Sequence, residues 1–524
     1  MTHEKLPAGW SRAPLSEIAD INPNSFSEPP QDHDLVSFVP MAAVEEESGR
    51  MQPNTHRPWS EVKKGYTLFQ EGDVLFAKVT PCMENGKVAI ATQLKGGRGA
   101  GSTEFFVLRS KGEVDPKYLM HFVLQSSFRR DARAAMQGAA GLLRVRKEFM
   151  QSAQVPIAPL QEQHRIVAEL EKQFARIEAG VEALRRVQLQ LRRYQASVLK
   201  AACEGHLVPT EAELARRENR DYEPADKLLA RILKERRAHW ESDQLAKMKA
   251  TGKPPKNDKW KERYAEPLMP STNGLFNLPE GWVWASLDQL TTFVTSGSRG
   301  WAEHYSDSGP LFIRAQDIKK DMLQLDAVAS VSPPANAEGI RTRVASGDLL
   351  ITITGANVTK SALVPNSIPE AYVSQHVGLA RPVDTNTSAF LFAWVVSPAN
   401  GRRYLENCAY GAGKPGLNLE QLRELVIALP PLKEQRRIMA EAESRMSLAK
   451  SGNMSIQTNV SRANQLRQTV LRQAFAGNLV SQVRTDEPAI DPLARTSANM
   501  KSKTTPKQDQ SQKIITAPKM KAAR

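Results

Sequence analysis

The sequence predicts an α/β (α+β) fold in two tandem copies, in which each copy is a globular domain followed by a long helix. The two helices are expected to pair as an antiparallel coiled coil around a pseudo-two-fold axis. Three observations lead to this prediction: an internal repeat, a helical apolar periodicity after each copy, and short apolar strands mixed with loops inside each copy. A chain of 524 residues has room for about three domains at roughly 150 residues each.

The internal repeat holds one register at both ends of the unit. Three pairs of segments lie 272 residues apart, namely LPAGW and LPEGW (6–10, 278–282), PLQEQHRI and PLKEQRRI (159–166, 431–438), and VLKAACEGHLVP and VLRQAFAGNLVS (198–209, 470–481). A fourth pair, GDVLFAKVTP from Gly72 and GDLLITITG from Gly347, is displaced by 275 residues. The interior of the second copy has therefore gained three residues, while its ends have kept their spacing.

The repeat also predicts the domain boundaries. The segments are globular domain 1 (6–158), helix 1 (159–209), a charged helical and linker insertion (210–277), globular domain 2 (278–430), helix 2 (431–481) and a basic disordered tail (482–524). Within the insertion, residues 225–240 have the pattern of an amphipathic helix and residues 251–260 that of a basic linker. We expect the insertion to be a solvated connection, with a subunit contact as the alternative.

Both long helices are predicted from an apolar stripe whose mean step is about 3.6 residues. The stripe residues expected to face a partner helix or subunit are Ile166, Leu170, Ile177, Leu184, Leu191, Ile438, Met446, Val460 and Leu466. Gly205 and Gly477 stand at equivalent positions, as glycines that end helices do. A rod of roughly 65 Å with one apolar stripe needs a partner, and the nearest is the other copy. The alternative is that each helix packs on its own globular domain.

The globular domains are expected to mix strands and loops. Residues 73–79 and 348–354 are apolar, β-branched runs preceded by glycine, and residues 155–157 and 425–429 are short apolar strands just before each helix. The order of the strands does not follow from the sequence.

The chain is basic, with a formal net charge of +14, and this suggests a polyanionic partner. About half of the excess lies in residues 495–524, which hold eight Lys and Arg against one Asp. In domain 1, residues 74–148 hold thirteen basic and six acidic side chains, whereas residues 11–73 hold five and eleven. The basic half is therefore the candidate DNA-binding face, and two globular units suit two half-sites on double-stranded DNA.

Candidate DNA-binding residues are basic or amide side chains in loop-like or glycine-flanked segments. They are Lys78, Lys87, Lys95, Arg98, Arg144 and Arg146 in domain 1, and Arg299, Arg314, Arg343, Asn357, Lys360, Gln375 and Lys414 in domain 2. Any one of these residues taken alone is more often an ordinary solvated side chain, so the hypothesis of DNA binding depends on the set as a whole.

No catalytic motif is predicted. Gly411, Gly413 and Gly416 match GxGxxG, but the preceding segment looks helical and Pro415 interrupts the turn, which disfavours a dinucleotide site. The stretch GANVTKS (355–361) has Thr359 where a phosphate-binding loop needs glycine. The sequence has no HExxH and no paired His/Cys spacing, so no metal site and no cofactor are expected on this chain.

The sequence also indicates a cellular compartment. Three widely spaced cysteines suit a reducing environment. The N-terminus lacks the apolar core of a signal peptide, and no run of about 18 apolar residues occurs. We therefore expect a cytoplasmic protein with no membrane segment.

The duplicated motifs resemble the specificity subunit of a type I restriction–modification system. The resemblance rests on LPxGW opening each copy, P-L-x-E-Q-x-R-I entering each helix and the VL…A…G-x-L-V exit, and it covers nearly all of residues 6–481. It implies two target-recognition domains, each reading one half of a bipartite gapped site, and an antiparallel helical spacer that docks two modification subunits. Those subunits would carry S-adenosylmethionine and methylate adenine N6, and restriction/translocase subunits would use ATP and Mg²⁺.

Two other functions stay open from the residues alone. A self-contained enzyme would methylate or cut DNA when purified alone. A protein-binding coiled-coil scaffold with repeated domains would show no sequence-selective DNA binding.

Overall fold

The computed structural model describes residues 6–23, 26, 28–139, 141–252, 254–297, 300–333, 341–411 and 415–489. These residues form two compact units. Unit 1 combines the described parts of 1–184 and 458–524, and unit 2 spans 185–457. Each unit therefore contains one globular domain together with part of each long helix.

Domain 1 is built from short strands and helices. Its strands are β1 (Ser11–Pro14), β2 (Ala19–Ile21), β3 (Leu35–Val39), β4 (Thr55–Pro58), β5 (Thr67–Gln70), β6 (Val74–Ala77), β7 (Val88–Ile90), β8 (Arg98–Gly101), β9 (Phe105–Ser110), β10 (Met136–Ala139), β11 (Leu142–Val145) and β12 (Gln154–Ile157). Its helices are α1 (Leu15–Ile18), α2 (Trp59–Val62), α3 (Pro116–Leu124), α4 (Ser126–Ala134) and α5 (Lys147–Ser152).

Domain 1 contains two four-stranded sheets. One has the order β2-β9-β6-β7 and is antiparallel, and the other has the order β4-β3-β8-β5 with β3 parallel to β8. All four side chains of β6 are buried, as the continuous apolar run at 73–79 predicts. The two ends of the domain meet where β1 pairs antiparallel with β12, which brings the start of the domain beside the start of the first long helix.

The first long helix and the insertion follow domain 1. Helix α6 runs Leu160–Cys203 over 44 residues. The insertion contains α7 (Glu211–Glu218) and α8 (Ala225–Ala250). Ala225, Leu228 and Ile232 of α8 are buried in the core of domain 2. The Arg236 guanidinium donates to the main-chain oxygens of Asp288 and Thr291, at 3.2 and 3.0 Å. The insertion is therefore packed on domain 2 along the first half of α8, because its apolar stripe is buried there, and is not only a solvated linker.

Domain 2 repeats the plan of domain 1. Its strands are β13 (Val283–Ser286), β14 (Thr291–Ser296), β15 (Tyr305–Ile313), β16 (Ile318–Lys319), β17 (Met322–Leu323), β18 (Ala329–Val331), β19 (Leu349–Thr352), β20 (Ser361–Leu363), β21 (Ala371–Val373), β22 (Val377–Pro382) and β23 (Val426–Leu429). Its helices are α9 (Leu287–Leu290), α10 (Ser388–Val396), α11 (Gly401–Cys408) and α12 (Leu419–Arg423), and the second long helix, α13, runs Leu432–Phe475 over 44 residues.

One sheet of domain 2 matches its counterpart in domain 1 in order, whereas the other has three strands, β18-β15-β21, in place of four. The sheet β14-β22-β19-β20 corresponds to β2-β9-β6-β7, and β13 pairs with β23 as β1 pairs with β12. A buried ion pair also recurs. Asp73 accepts from Arg109 at 2.7 Å, and Asp348 accepts from Arg381 at 2.8 Å. Both aspartates follow the repeated glycines, and each pair joins the start of a central strand to its neighbour. The fold class predicted from the repeat, two tandem mixed domains with long helices, is thus confirmed.

The two long helices pack antiparallel within each unit. In unit 2, Gln188 donates to Asn453 at 2.8 Å, and Val198 shares a core with Ile438 and Ala442. Residues later in α6 therefore contact residues earlier in α13, as in an antiparallel pair. In unit 1, the Arg467 guanidinium lies 4.6 Å from the centre of the Phe174 ring. The early α6 side chains Ile166 and Leu170 are buried against the end of α13.

The residues of the predicted stripes differ in how deeply they are buried. Ile166, Leu170 and Ile438 are buried, and Ile177, Leu184, Leu191, Met446 and Val460 are half-buried. Leu466, which the stripe places inward, is 52% exposed. The next residue, Arg467, instead packs its guanidinium over the Phe174 ring.

The repeated end motifs are structural. The indole of Trp282, from LPEGW, donates to the Glu434 carboxylate of PLKEQRRI at 2.9 Å, and burial raises the pKa of Glu434. Trp10 and Glu162 are the buried counterparts in domain 1. Gly205 and Gly477 have φ of 77° and 75°, a left-handed backbone that closes α6 and α13. Each motif therefore joins the start of a domain to a helix.

Candidate nucleic-acid interface

Two of the predicted basic residues of domain 1 are brought together around Glu104. Arg144, exposed on β11, donates to the Glu104 carboxylate at 2.8 Å, and Lys78 donates through its main chain to the Glu104 carbonyl oxygen at 2.9 Å. The Lys78 ammonium lies 5.6 Å from the centre of the Phe106 ring. The hydrogen bonds from Arg144 lower the pKa of Glu104. Strand β11 is thereby held beside the end of β6.

The other predicted residues of domain 1 are spread over its two sheets. Lys87 donates to the Met41 carbonyl oxygen at 3.1 Å, so its charge is partly committed within the domain. Lys95 is exposed in the turn before β8, and Arg98 is half-buried on that strand. Arg146 is exposed at the start of α5. These four residues do not form one cluster with Lys78 and Arg144 through any described contact.

Three predicted residues of domain 2 converge. Arg314 and Gln375 line the same cavity of about 310 Å³. The Asn357 amide donates at 3.0 Å to the carbonyl oxygen of Ala315, which is another residue of that cavity's wall. Lys360 is half-buried on the same loop as Asn357, whereas Arg343 is exposed and lies 3.9 Å from Glu370. Arg299 and Lys414 lie outside the described residues.

Arg314 and Gln375, which line this cavity, have different hydrogen-bond partners. Arg314 donates to both oxygens of Asp317, at 3.0 and 3.1 Å, and these hydrogen bonds raise its pKa. A guanidinium held in this way presents its remaining edge in a fixed orientation. Gln375 instead donates an amide N–H to the His376 ring at 3.2 Å. A neutral amide and a fixed cation therefore line the same cavity.

Sequence reasoning missed two buried arginines that position the candidate loops. Arg129 of α4 donates to the Glu84 carbonyl oxygen at 2.6 Å and is paired with Glu47. Arg402 of α11 donates to the main chain of Thr359 and is paired with Asp321. In domain 1, α4 thus anchors the loop that follows β6, and in domain 2, α11 anchors the loop that follows β19. Those loops carry Lys87 in domain 1, and Asn357 and Lys360 in domain 2.

A sequence signal for these arginines exists. An Arg-Arg doublet occurs at 129–130 and again at 402–403, close to the spacing of the repeat. In each doublet the first arginine is buried, with 7% of Arg129 and 5% of Arg402 exposed. Buried arginines are rare unless they are paired, so a repeated doublet in an amphipathic helix indicates a shared positioning role.

The two glycine-rich stretches contact each other, since the Gly355 N–H donates to the Pro415 carbonyl oxygen at 3.2 Å. Gly416 pairs with Tyr410 and Thr354 in isolated bridges, and the segment before Gly411 is helical, as predicted. Thr359 has a left-handed φ of 72° and is held there by Arg402. Among the described residues, no group of three or more His, Cys, Asp or Glu is placed to hold a metal ion. No helix of the described chain is long and apolar enough to cross a membrane.

Comparison with known proteins agrees with this duplicated architecture. The family described as Type I restriction modification DNA specificity domain matches residues 7–184 and 338–441. The chain therefore belongs to the DNA specificity family of type I restriction–modification systems. This membership does not favour the scaffold alternative.

Individual relatives and a solved structure support the same assignment. The chain is 26% identical over 487 residues to the type I restriction enzyme EcoAI specificity subunit of Escherichia coli, a match that covers 84% of this chain and 78% of the relative. It is 27% identical over 494 residues to the EcoEI specificity subunit of Escherichia coli, with the same shares. A chain solved in work on complex assembly and conformational transition of the type I R-M system has a TM-score of 0.56 and 18% identity. It covers 91% of this chain and 100% of its own length, and supports the fold.

Proposed function

We propose that each globular domain reads one half of a two-part, gapped sequence in double-stranded DNA. This proposal rests on the observation that the two domains have equivalent scaffolds but different polar side chains in their equivalent loops. Arg129 and Arg402 anchor equivalent loops, yet these loops contain Lys87 in one domain and Asn357 with Lys360 in the other. Lysine reaches phosphates or guanine, whereas asparagine and glutamine suit adenine edges. Two domains of this kind would read different half-sites.

The chemistry is assigned to partner subunits. Relatives of this chain are named specificity subunits of type I restriction enzymes. We therefore propose that two modification subunits, with S-adenosylmethionine, methylate adenine N6 within the site that this chain selects. Restriction/translocase subunits would add cleavage that depends on ATP and Mg²⁺. This chain would supply recognition and no catalytic group or cofactor, and we expect the complex to work in the cytoplasm.

The long helices are the proposed docking surface for the modification subunits. In unit 2, five large apolar side chains of the helices are exposed, and they are Val187, Leu189, Tyr194, Leu448 and Met454. Leu448 has 73% and Met454 61% of its surface exposed. Exposed apolar groups on helices that are otherwise charged are typical of protein interfaces.

The decisive experiment is to express the chain with its modification subunit in a host and to map N6-methyladenine across the host genome. One gapped, two-part motif is expected. Replacing residues 11–158 by those of another family member should change one half of that motif only. An ungapped motif, or no motif in an active complex, would contradict the proposal. Absence of sequence-selective DNA binding would favour the scaffold alternative.

A further inference from the structure

The β10–β11 hairpin of domain 1 is a two-stranded ribbon with one exposed face. In its register, Gln137 lies opposite Arg144, and Ala139 lies opposite Leu142. Opposite residues of an antiparallel pair share a face, and so do residues two apart on one strand. These four side chains therefore lie on one face of the ribbon, and all four are exposed. Below we call this set of four residues the hairpin face.

The other face of the ribbon holds the hairpin on domain 1. Val145 is buried in the core of unit 1, and Met136 packs against that core. The Val145 N–H donates to the Lys78 carbonyl oxygen at 2.8 Å, which ties β11 to the segment after β6. A Cβ added at Gly138 would lie 2.4 Å from the Leu142 carbonyl oxygen, so glycine is needed for the two strands to approach this closely. The hairpin face is therefore carried on an anchored ribbon.

The hairpin face combines groups that recognise the edges of bases. No hydrogen bond within the described part of the chain engages the Gln137 amide. Leu142 is 49% exposed and forms a small apolar surface with Ala139 opposite it. The Arg144 guanidinium is held by the Glu104 carboxylate at 2.8 and 2.9 Å. A glutamine amide pairs with N6 and N7 of adenine in the major groove, and an apolar group packs on the methyl group of thymine.

The charge and the width of the hairpin fit double-stranded DNA. Residues 136–147 contain three cationic side chains and no carboxylate. Arg146 and Lys147, at the base of the ribbon, are exposed and form no ion pair with the residues that the structure describes. Paired strands lie about 4.8 Å apart, and the major groove, about 12 Å wide, admits a two-stranded ribbon. The two cations at the base are then available to flanking phosphates, which position a protein on DNA.

We propose that the hairpin face enters the major groove of the half-site read by domain 1. There Gln137 reads an adenine, and the Ala139–Leu142 pair contacts the methyl group of a thymine. This inference rests on the proposed function, because it assumes that domain 1 binds DNA. Gln137 and Ala139 are two residues apart, roughly 6.7 Å along the strand, or about two base-pair steps of about 3.4 Å. The adenine and the thymine should therefore lie within about three base pairs of each other.

Base analogues test the adenine contact in the complex of the full chain with its modification subunit. In duplexes carrying the mapped motif, 7-deazaadenine replaces each adenine of the domain-1 half-site in turn, which removes N7 and keeps the base pair. At one position this change should weaken wild-type binding about threefold to tenfold. Gln137→Ala should bind the natural duplex about tenfold to a hundredfold more weakly and should be insensitive to 7-deazaadenine at that position.

Deoxyuridine tests the apolar contact, because uracil lacks the thymine methyl group. At one thymine within about three base pairs of the sensitive adenine, deoxyuridine should weaken wild-type binding about threefold. Leu142→Ala should lose most of this sensitivity, because the larger part of the apolar surface is removed. A wild type that is insensitive to deoxyuridine throughout the domain-1 half-site overturns this contact.

Gln154→Ala is the matched control, since Gln154 is an exposed amide of the same domain that lies on β12, outside the hairpin. It should respond to every base analogue as the wild type does. When N6-methyladenine is mapped across the host genome, Gln137→Ala should relax one position of the domain-1 half of the motif. The domain-2 half should stay unchanged.

Three outcomes separate the inference from its rivals. Equal sensitivity of Gln137→Ala and the wild type to 7-deazaadenine at every position overturns the inference. Loss of the modification subunit from the Gln137→Ala complex also overturns it, because the hairpin would then be a protein interface. If no gapped motif is found for the wild type, the proposed function itself fails.

Discussion

His121 is a buried residue of α3 in unit 1, and its ring centre lies 5.5 Å from that of Phe174 on α6. Neither ring nitrogen has a hydrogen-bond partner among the described residues. Burial lowers the pKa of His121 from its ordinary 6.5 to about 3, and the positive charges of Arg467 and Lys117 act in the same direction. The folded state therefore holds this ring neutral.

The sign of the resulting pH dependence follows from that lowered pKa. The contribution of His121 to stability is complete above pH 6.5 and is lost as the pH falls towards 3, since the unfolded chain binds the proton first. Between about pH 7.5 and about pH 5.5, the unfolding free energy of the wild type should fall by about 1.4 kcal/mol more than that of His121→Phe. Denaturation of the full chain at both pH values measures this difference. An equal pH response in His121→Phe and the wild type would contradict the argument.

Arg402 is the second residue whose role depends on burial. Arg402→Met leaves Asp321 without its cation and removes the donor to the Thr359 main chain, so we expect a loss of about 1.5–3 kcal/mol in stability. Hydrogen exchange in residues 355–360 should accelerate, because Thr359 would no longer be held at its left-handed φ. Arg403→Met is the control, since Arg403 is exposed. Unchanged exchange in this loop would show that Arg402 does not position it.

At the scale of elements, the ends of the long helices are the clearest case of a match between sequence and structure. Gly205 and Gly477 were placed at the helix ends by the repeat alone, and both adopt the left-handed backbone that such ends require. The strands at 73–79 and 348–354 were also predicted from apolar runs and are observed as β6 and β19. The β10–β11 hairpin was not predicted, because its strands are largely exposed and carry no apolar alternation.

The helix-ending glycines give a prediction with an internal control. Gly477→Ala and Gly205→Ala should each destabilise the chain by about 1–2 kcal/mol, because alanine is strained at a left-handed φ. The added methyl would also meet Pro7 or Pro279. Gly180→Ala, in the interior of α6 with open space around it, should instead stabilise by up to about 1 kcal/mol. Chemical denaturation measures the stability of all three variants. This account would be refuted if Gly180→Ala destabilised the chain while the other two variants did not.

At the scale of the whole molecule, the helices are proposed to set the gap between the two half-sites. Inserting about four residues, roughly one turn, into both α6 and α13 should change the gap in the methylated motif and leave both halves intact. The same insertion beside Gly252, in the loop after α8, should leave the gap unchanged. If the half-sites changed and the gap did not, the helices would not act as the spacer.

The exposed apolar residues of the helices make a second prediction at this scale. Leu189→Lys combined with Leu448→Lys should abolish copurification of the modification subunit, because two charges would be buried in an apolar interface. Leu142→Lys, at a residue 49% exposed on β11, should leave copurification intact. Normal assembly of the double variant would place the docking surface elsewhere.

The sequence by itself determined the duplication, the two mixed domains, the positions of the long helices and the family. These features are encoded in motifs and periodicities among neighbouring residues, which can be read without coordinates. It also located the candidate DNA-binding set, whose contacts with bases remain a prediction.

Only the tertiary structure decided which of those side chains are already committed. Arg144 and Arg314 are paired with carboxylates, and Arg314 and Gln375 meet at one pocket. Arg402 reaches Asp321 across 81 residues, a pairing that no local pattern specifies. Ion pairs and buried donors depend on which distant segments the fold brings into contact, and burial then determines whether a charge stabilises the domain or remains available to DNA.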